Sequence, residues 1–96
     1  MNKKIEVKKG VFYEVQIRNC GRGFWGECVA ATKEEPGELA IRPGLSKKNT
    51  RQTLIHELIH AVDYEWVIGL TEEQTLQLEE AFCLLIKLND FNGLLD

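Results

Sequence analysis

Thr53-Leu54-Ile55-His56-Glu57-Leu58-Ile59-His60-Ala61-Val62-Asp63-Tyr64-Glu65-Trp66 is where the chain changes its period. Leu54, Ile55, Leu58, Ile59, Val62 and Trp66 recur at three- and four-residue spacing, the pattern of one buried helix face. Upstream the period is two. Ile5-Glu6-Val7 and Val11-Phe12-Tyr13-Glu14-Val15-Gln16-Ile17 largely alternate apolar and polar residues, as half-buried strands do. Strands followed by helices predict an α+β domain.

Working outward from that switch, Pro43-Gly44 ends a short fourth strand, Glu38-Leu39-Ala40-Ile41-Arg42, because proline cannot donate to a ladder and glycine favours a turn. A third strand is expected across residues 25–32, after the loop Asn19-Cys20-Gly21-Arg22-Gly23. Ser46 or Asn49 can cap the first helix and Gly69 can stop it. Thr71-Glu72-Glu73-Gln74 opens a second helix with a hydroxyl cap, early acids that suit the helix dipole and Gln at the third position. That helix is expected to run to about Leu88. Trp25, Trp66 and Cys83 are read as core.

Ninety-six residues with 44% apolar content suffice for one core, so residues 1–96 are read as a single domain. Twelve basic against 15 acidic residues, a net charge of -3, offer no general attraction to nucleic acid or anionic membranes. No apolar run reaches the length of a membrane span, and MNKKIEVKKG lacks the apolar stretch of a secretory signal, so a cytoplasmic protein is expected. Three cysteines without a C-x-x-C pair indicate reduced thiols.

His56 and His60 are the two histidines of the chain, and they lie one turn apart on one helix face in an H-E-x-x-H pattern. Random placement yields this spacing, with Glu directly after the first His, in about 0.3% of cases. Both stand in an apolar segment where an unpartnered imidazole would be desolvated at a cost, and a shared metal ion satisfies both. Imidazole nitrogens suit zinc, and a catalytic site needs three protein ligands and an open fourth position. Glu57, beside a ligand, is placed to act as general base on water in that position. The third ligand is expected from the second helix, where Glu79 and Glu80 adjoin the apolar run. Periodicity leaves the choice between them open, because the run is apolar almost all round.

His56-Glu57-Leu58-Ile59-His60-Ala61-Val62-Asp63-Tyr64 resembles the active-site helix of thermolysin-type gluzincin metallopeptidases. Over about residues 26–87 the chain is also similar to minigluzincins and to small phage-borne relatives of the ImmA/IrrE and SprT-like peptidases. In gluzincins the third ligand is a Glu directly before Ala on the next helix. The resemblance therefore implies Glu80, which precedes Ala81 and lies twenty residues past His60. It further implies a minimal zincin-like fold and one Zn2+ per chain. The implied activity is that of an endopeptidase, in the cytoplasm of a bacterial host. Gly37-Glu38-Leu39-Ala40-Ile41-Arg42 is similar to the family's upper-rim edge strand, so an extended peptide substrate is expected along residues 38–42 by strand addition.

The pattern departs from thermolysin in two places. Leu84 stands where an Asp usually follows the glutamate ligand, and no third histidine is present to stabilise an oxyanion. Asp63, one turn beyond His60, is a candidate for orienting a ligand. Tyr64, four residues past His60, is the candidate oxyanion donor and hence a catalytic candidate beside Glu57, with Tyr13 and Arg42 as further candidates. Two rivals share the composition. One is a non-catalytic zinc module or phage regulatory protein whose metal holds a small fold together. The other is a metal-free interaction protein.

Overall fold

The computed structural model describes residues 3–21 and 23–90. Four strands, β1 (Lys3–Lys8), β2 (Val11–Ile17), β3 (Gly26–Val29) and β4 (Gly37–Ile41), precede two helices, α1 (Lys47–Trp66) and α2 (Glu72–Leu88). The strands form one mixed sheet in the order β1-β2-β4-β3, the α+β arrangement expected. β1 and β2 pair antiparallel around Gly10, whose φ of 80° makes it the residue for this tight turn. β2 then pairs parallel with β4 from Tyr13 opposite Gly37 to Ile17 opposite Ile41, and β3 lies antiparallel on the far side of β4.

This topology corrects the expectation that residues 38–42 form a sheet edge. β4 is hydrogen-bonded on both sides, and the edges are β1 and β3. The reason is visible in composition: Gly37, Leu39, Ala40 and Ile41 are all buried, so β4 lacks the polar alternation of a strand with one wet face. β3 is also shorter than the expected 25–32, and Trp25 and residues 30–32 lie outside it.

Tyr13, Leu39 and Ala61 centre the core, with Ile5, Val7, Val15, Leu54 and Leu58 packed around them. Each fully buried aliphatic chain here is worth about 1.5–3 kcal/mol. Gly37 is required at its position because a Cβ there would lie 2.6 Å from Cζ of the Tyr13 ring. Arg18 reaches Glu27 and Glu38 and so ties β2, β3 and β4 together on the outer side.

Ser46 caps α1 through the amide of Asn49, as expected. α1 ends not at Gly69 but at Trp66, with Val67 in the left-handed region at φ 51°. The turn is held by Asp63, whose Oδ1 accepts from the amides of Gly69 (2.7 Å) and Leu70 (3.1 Å). Thr71 and Gln74 form a full capping box on α2, which runs to Leu88 as expected. Trp25 and Trp66, read as core, are about half exposed. Trp66 donates to the Val7 carbonyl and lies under the Lys8 ammonium, while Cys83 is partly buried. No helix among the described residues is long and apolar enough to cross a membrane.

Candidate metal centre

α1 carries His56 and His60 on successive turns, and the Nε2 atoms of the two rings approach to 3.1 Å, with the rings nearly perpendicular. Two nitrogens bound to one tetrahedral zinc at 2.0–2.1 Å stand about 3.3 Å apart. The imidazoles are therefore already near the separation a shared ion requires. Glu72, the first residue of α2, brings Oε1 to 3.9 Å from His56 Nε2. His56, His60 and Glu72 are a group whose ligand atoms all lie within 4.8 Å of one another. Two imidazoles and one carboxylate form a donor set that suits zinc.

Glu79 takes a different part. Its Oε1 lies 2.6 Å from His56 Nδ1 and its Oε2 accepts from Gln52 Nε2 at 2.7 Å, with the side chain largely buried. An ionised carboxylate only accepts, so Nδ1 carries the proton and the Nε2 lone pair of His56 faces the site. This is the carboxylate–histidine pairing that fixes the tautomer and ring orientation of metal ligands. Asp63, considered for such a role, is occupied in the turn between the helices. Glu80 is exposed and is not among the converging groups.

The three acids separate by helix geometry. Glu72 and Glu79 are seven residues apart, two turns, and share the face that also buries Thr75. Glu80 is rotated by about 100° away from it. That stripe of Glu72, Thr75 and Glu79 at three- and four-residue spacing is the sequence signal that could have found the inward face. The apolar run further along α2 hides it.

Glu57 is 6% exposed on the opposite side of His56, against β3. A Cβ on Gly26 would come within 3.0 Å of Glu57 Oε2 and 2.7 Å of Thr53 Cγ2, so the glycine lets the strand lie directly on the carboxylate. Desolvation by this burial pushes the Glu57 carboxyl above its usual range, partly offset by His56. Burial, and then the neighbouring His56, hold His60 below the usual imidazole value, which favours its neutral, ligating form.

Two clefts meet at Glu57. One, of about 280 Å³, runs past Phe24, Trp25, Gln52, His56, Leu76 and Glu79. The other, of about 420 Å³, is bounded by Gly21, Phe24, Glu27, Cys28, His60 and Tyr64. Tyr64 therefore stands at the rim beside His60, mostly exposed. Tyr13 is buried in the core and hydrogen-bonded to Glu65, and Arg42 is exposed at the end of β4. Cys28, in the second cleft, has its thiol pushed up to about 12 by burial and so remains protonated.

No protein-family model matches this chain, and no curated protein or solved structure matches it either.

Proposed function

We propose that the chain is a zinc-dependent peptidase, in which His56, His60 and Glu72 hold the metal and Glu57 is the general base. The observation that carries this reading is the convergence of both Nε2 atoms at the junction of two clefts that share the buried Glu57 carboxylate. A zinc ion there would supply Lewis acidity toward a carbonyl oxygen and lower the pKa of water to about 7. Glu57 accepts the proton of the attacking water and returns it to the leaving amine, while Glu79 keeps His56 in its ligating tautomer.

The substrate pairs with β3 rather than with residues 38–42. β3 is the edge nearest Glu57, and extended polypeptide adds to such an edge through main-chain hydrogen bonds. Phe24, Trp25 and Leu76 offer an apolar wall for a substrate side chain, and Tyr64 is placed to donate to a developing oxyanion.

A structural zinc module is the second reading, favoured by the thin attachment of α2, in which Thr75 is the one fully buried residue among those described. A metal shared by α1 and α2 would hold that helix in place. Glu57→Gln separates the two readings, since the amide is nearly isosteric but cannot take a proton. We expect the variant to keep zinc and fold and to lose about 10² to 10⁴ of the rate on an unstructured substrate such as casein. Equal behaviour of zinc-loaded wild type and Glu57→Gln across a broad peptide library would leave the structural module as the function.

A further inference from the structure

Over residues 81–88 the face of α2 that points away from α1 is apolar and follows heptad spacing, while the exposed Glu73, Gln74 and Gln77 continue the same face toward the N-terminus of the helix. Ala81, Leu84, Leu85 and Leu88 follow one another at three- and four-residue spacing, all exposed, with Leu84 at 55% and Leu88 at 69%. At about 100° per residue they form a single stripe, and the Glu72–Glu79 face lies on the other side of the helix. The two flanks of the stripe differ. On one side Leu78 and Leu85 stand seven apart, and Leu78 lines an apolar groove of about 500 Å³ together with Ile55, Ile59, Val62 and Phe82. On the other, Glu80 and Lys87 stand seven apart, both exposed.

We propose that this face pairs with the same face of a second copy of the chain, α2 against α2 in antiparallel orientation. The register follows from the heptad. With Ala81 packed opposite the second copy's Leu84, Leu88 meets its Gln77, and one flank brings Leu85 against its Leu78. The same register sets Glu80 against the second copy's Lys87 on the other flank. By two-fold symmetry each of these contacts occurs twice, so a single register pairs Ala81 with Leu84, the apolar flank with itself and the charged flank with its opposite, while Leu88 lies over the aliphatic stem of Gln77. A parallel pairing would instead set the Glu80 and Lys87 flank against the Leu78 and Leu85 flank, leaving the charges without opposites. Leu85 of the second copy also covers the rim of the groove between α1 and α2. The metal centre faces away from the interface, so two open sites would remain, and the pairing does not depend on the zinc reading.

Sedimentation velocity of the full chain across a dilution series tests this, with far-UV circular dichroism as the fold control. We expect a reversible monomer–dimer equilibrium that Leu84→Asp shifts to monomer. Lys87→Glu places two like-charge pairs in the interface and is expected to raise the Kd about tenfold or more, and adding Glu80→Lys is expected to restore it to within about threefold. Both flank positions are exposed, so the charge variants leave the monomer fold unchanged. A chain that stays monomeric at every concentration overturns the proposal. So does a dimer indifferent to Leu84→Asp, or one whose Lys87→Glu defect the second charge reversal does not repair.

Discussion

Tyr13 ties three parts of the molecule through one side chain. Its ring fills the core against Gly37, its hydroxyl donates to Glu65 on α1 at 2.6 Å, and the same oxygen accepts from the Ala31 amide at 3.2 Å. Burial, and then the bond to the Glu65 carboxylate, push the phenol far above its ordinary value of about 10. A folded-state pKa raised above the unfolded one favours the protonated form, so this contribution is complete below about pH 10 and is lost as pH rises further. The unfolding free energy is expected to fall with increasing pH above about 10, measured by urea denaturation at stepped pH, and Tyr13→Phe is expected to remove most of that slope. A slope unchanged in Tyr13→Phe would show that the phenol is not the group responsible. The sequence offered Tyr13 as a further oxyanion candidate, whereas the structure buries it in the core. Nothing in the sequence announced Glu65 as its partner, because the two meet only when α1 crosses the sheet.

α2 presents three acids whose roles are set by rotation about the helix axis. Glu72→Ala is expected to weaken zinc binding by removing a ligand. Glu79→Gln is expected to weaken it by about 10- to 100-fold through loss of the His56 partner, and Glu80→Ala to leave it unchanged. Competition with a chromophoric chelator measures all three, and a large loss confined to Glu80→Ala would move the ligand to the position the family resemblance implies. Both histidines and their spacing were legible in the sequence, as was the start of α2, and the start of α1 was narrowed to Ser46 or Asn49, since caps and H-E-x-x-H are local patterns read within one or two turns. The inward face of α2 was not legible. Its C-terminal half is apolar all round, so no moment points at α1, and the polar stripe of Glu72, Thr75 and Glu79 looks like surface. Trp25 and Trp66 misled for a related reason, since size and hydrophobicity suggest the core but both stand half exposed, Trp25 lining the first cleft.

On the scale of the whole molecule, a small core and a lightly held α2 would make the proposed metal a stability term. Chelation is expected to lower the melting temperature, and acid to do the same to the zinc form below about pH 6, where protons compete for His and Glu. Identical calorimetric melting with and without chelator would exclude a metal that contributes to the fold. The four strands were legible from alternation and turn residues, but their spatial order was not. A parallel β2–β4 pair is set by tertiary packing between segments about twenty residues apart, and no local pattern records it. That order has a consequence in time. The β1–β2 hairpin closes over a two-residue turn, whereas β3 has β4 as its one strand partner and must wait for a segment that follows it in the chain. The four residues of β3 therefore join late and leave early. In hydrogen exchange the β3 amides are expected to exchange well before those of β4, and equal protection would refute this ordering. The histidines and Glu57 stand on α1 and not on β3, so under the proposed reading an opening of β3 would interrupt peptide binding and leave the residues of the metal centre where they are.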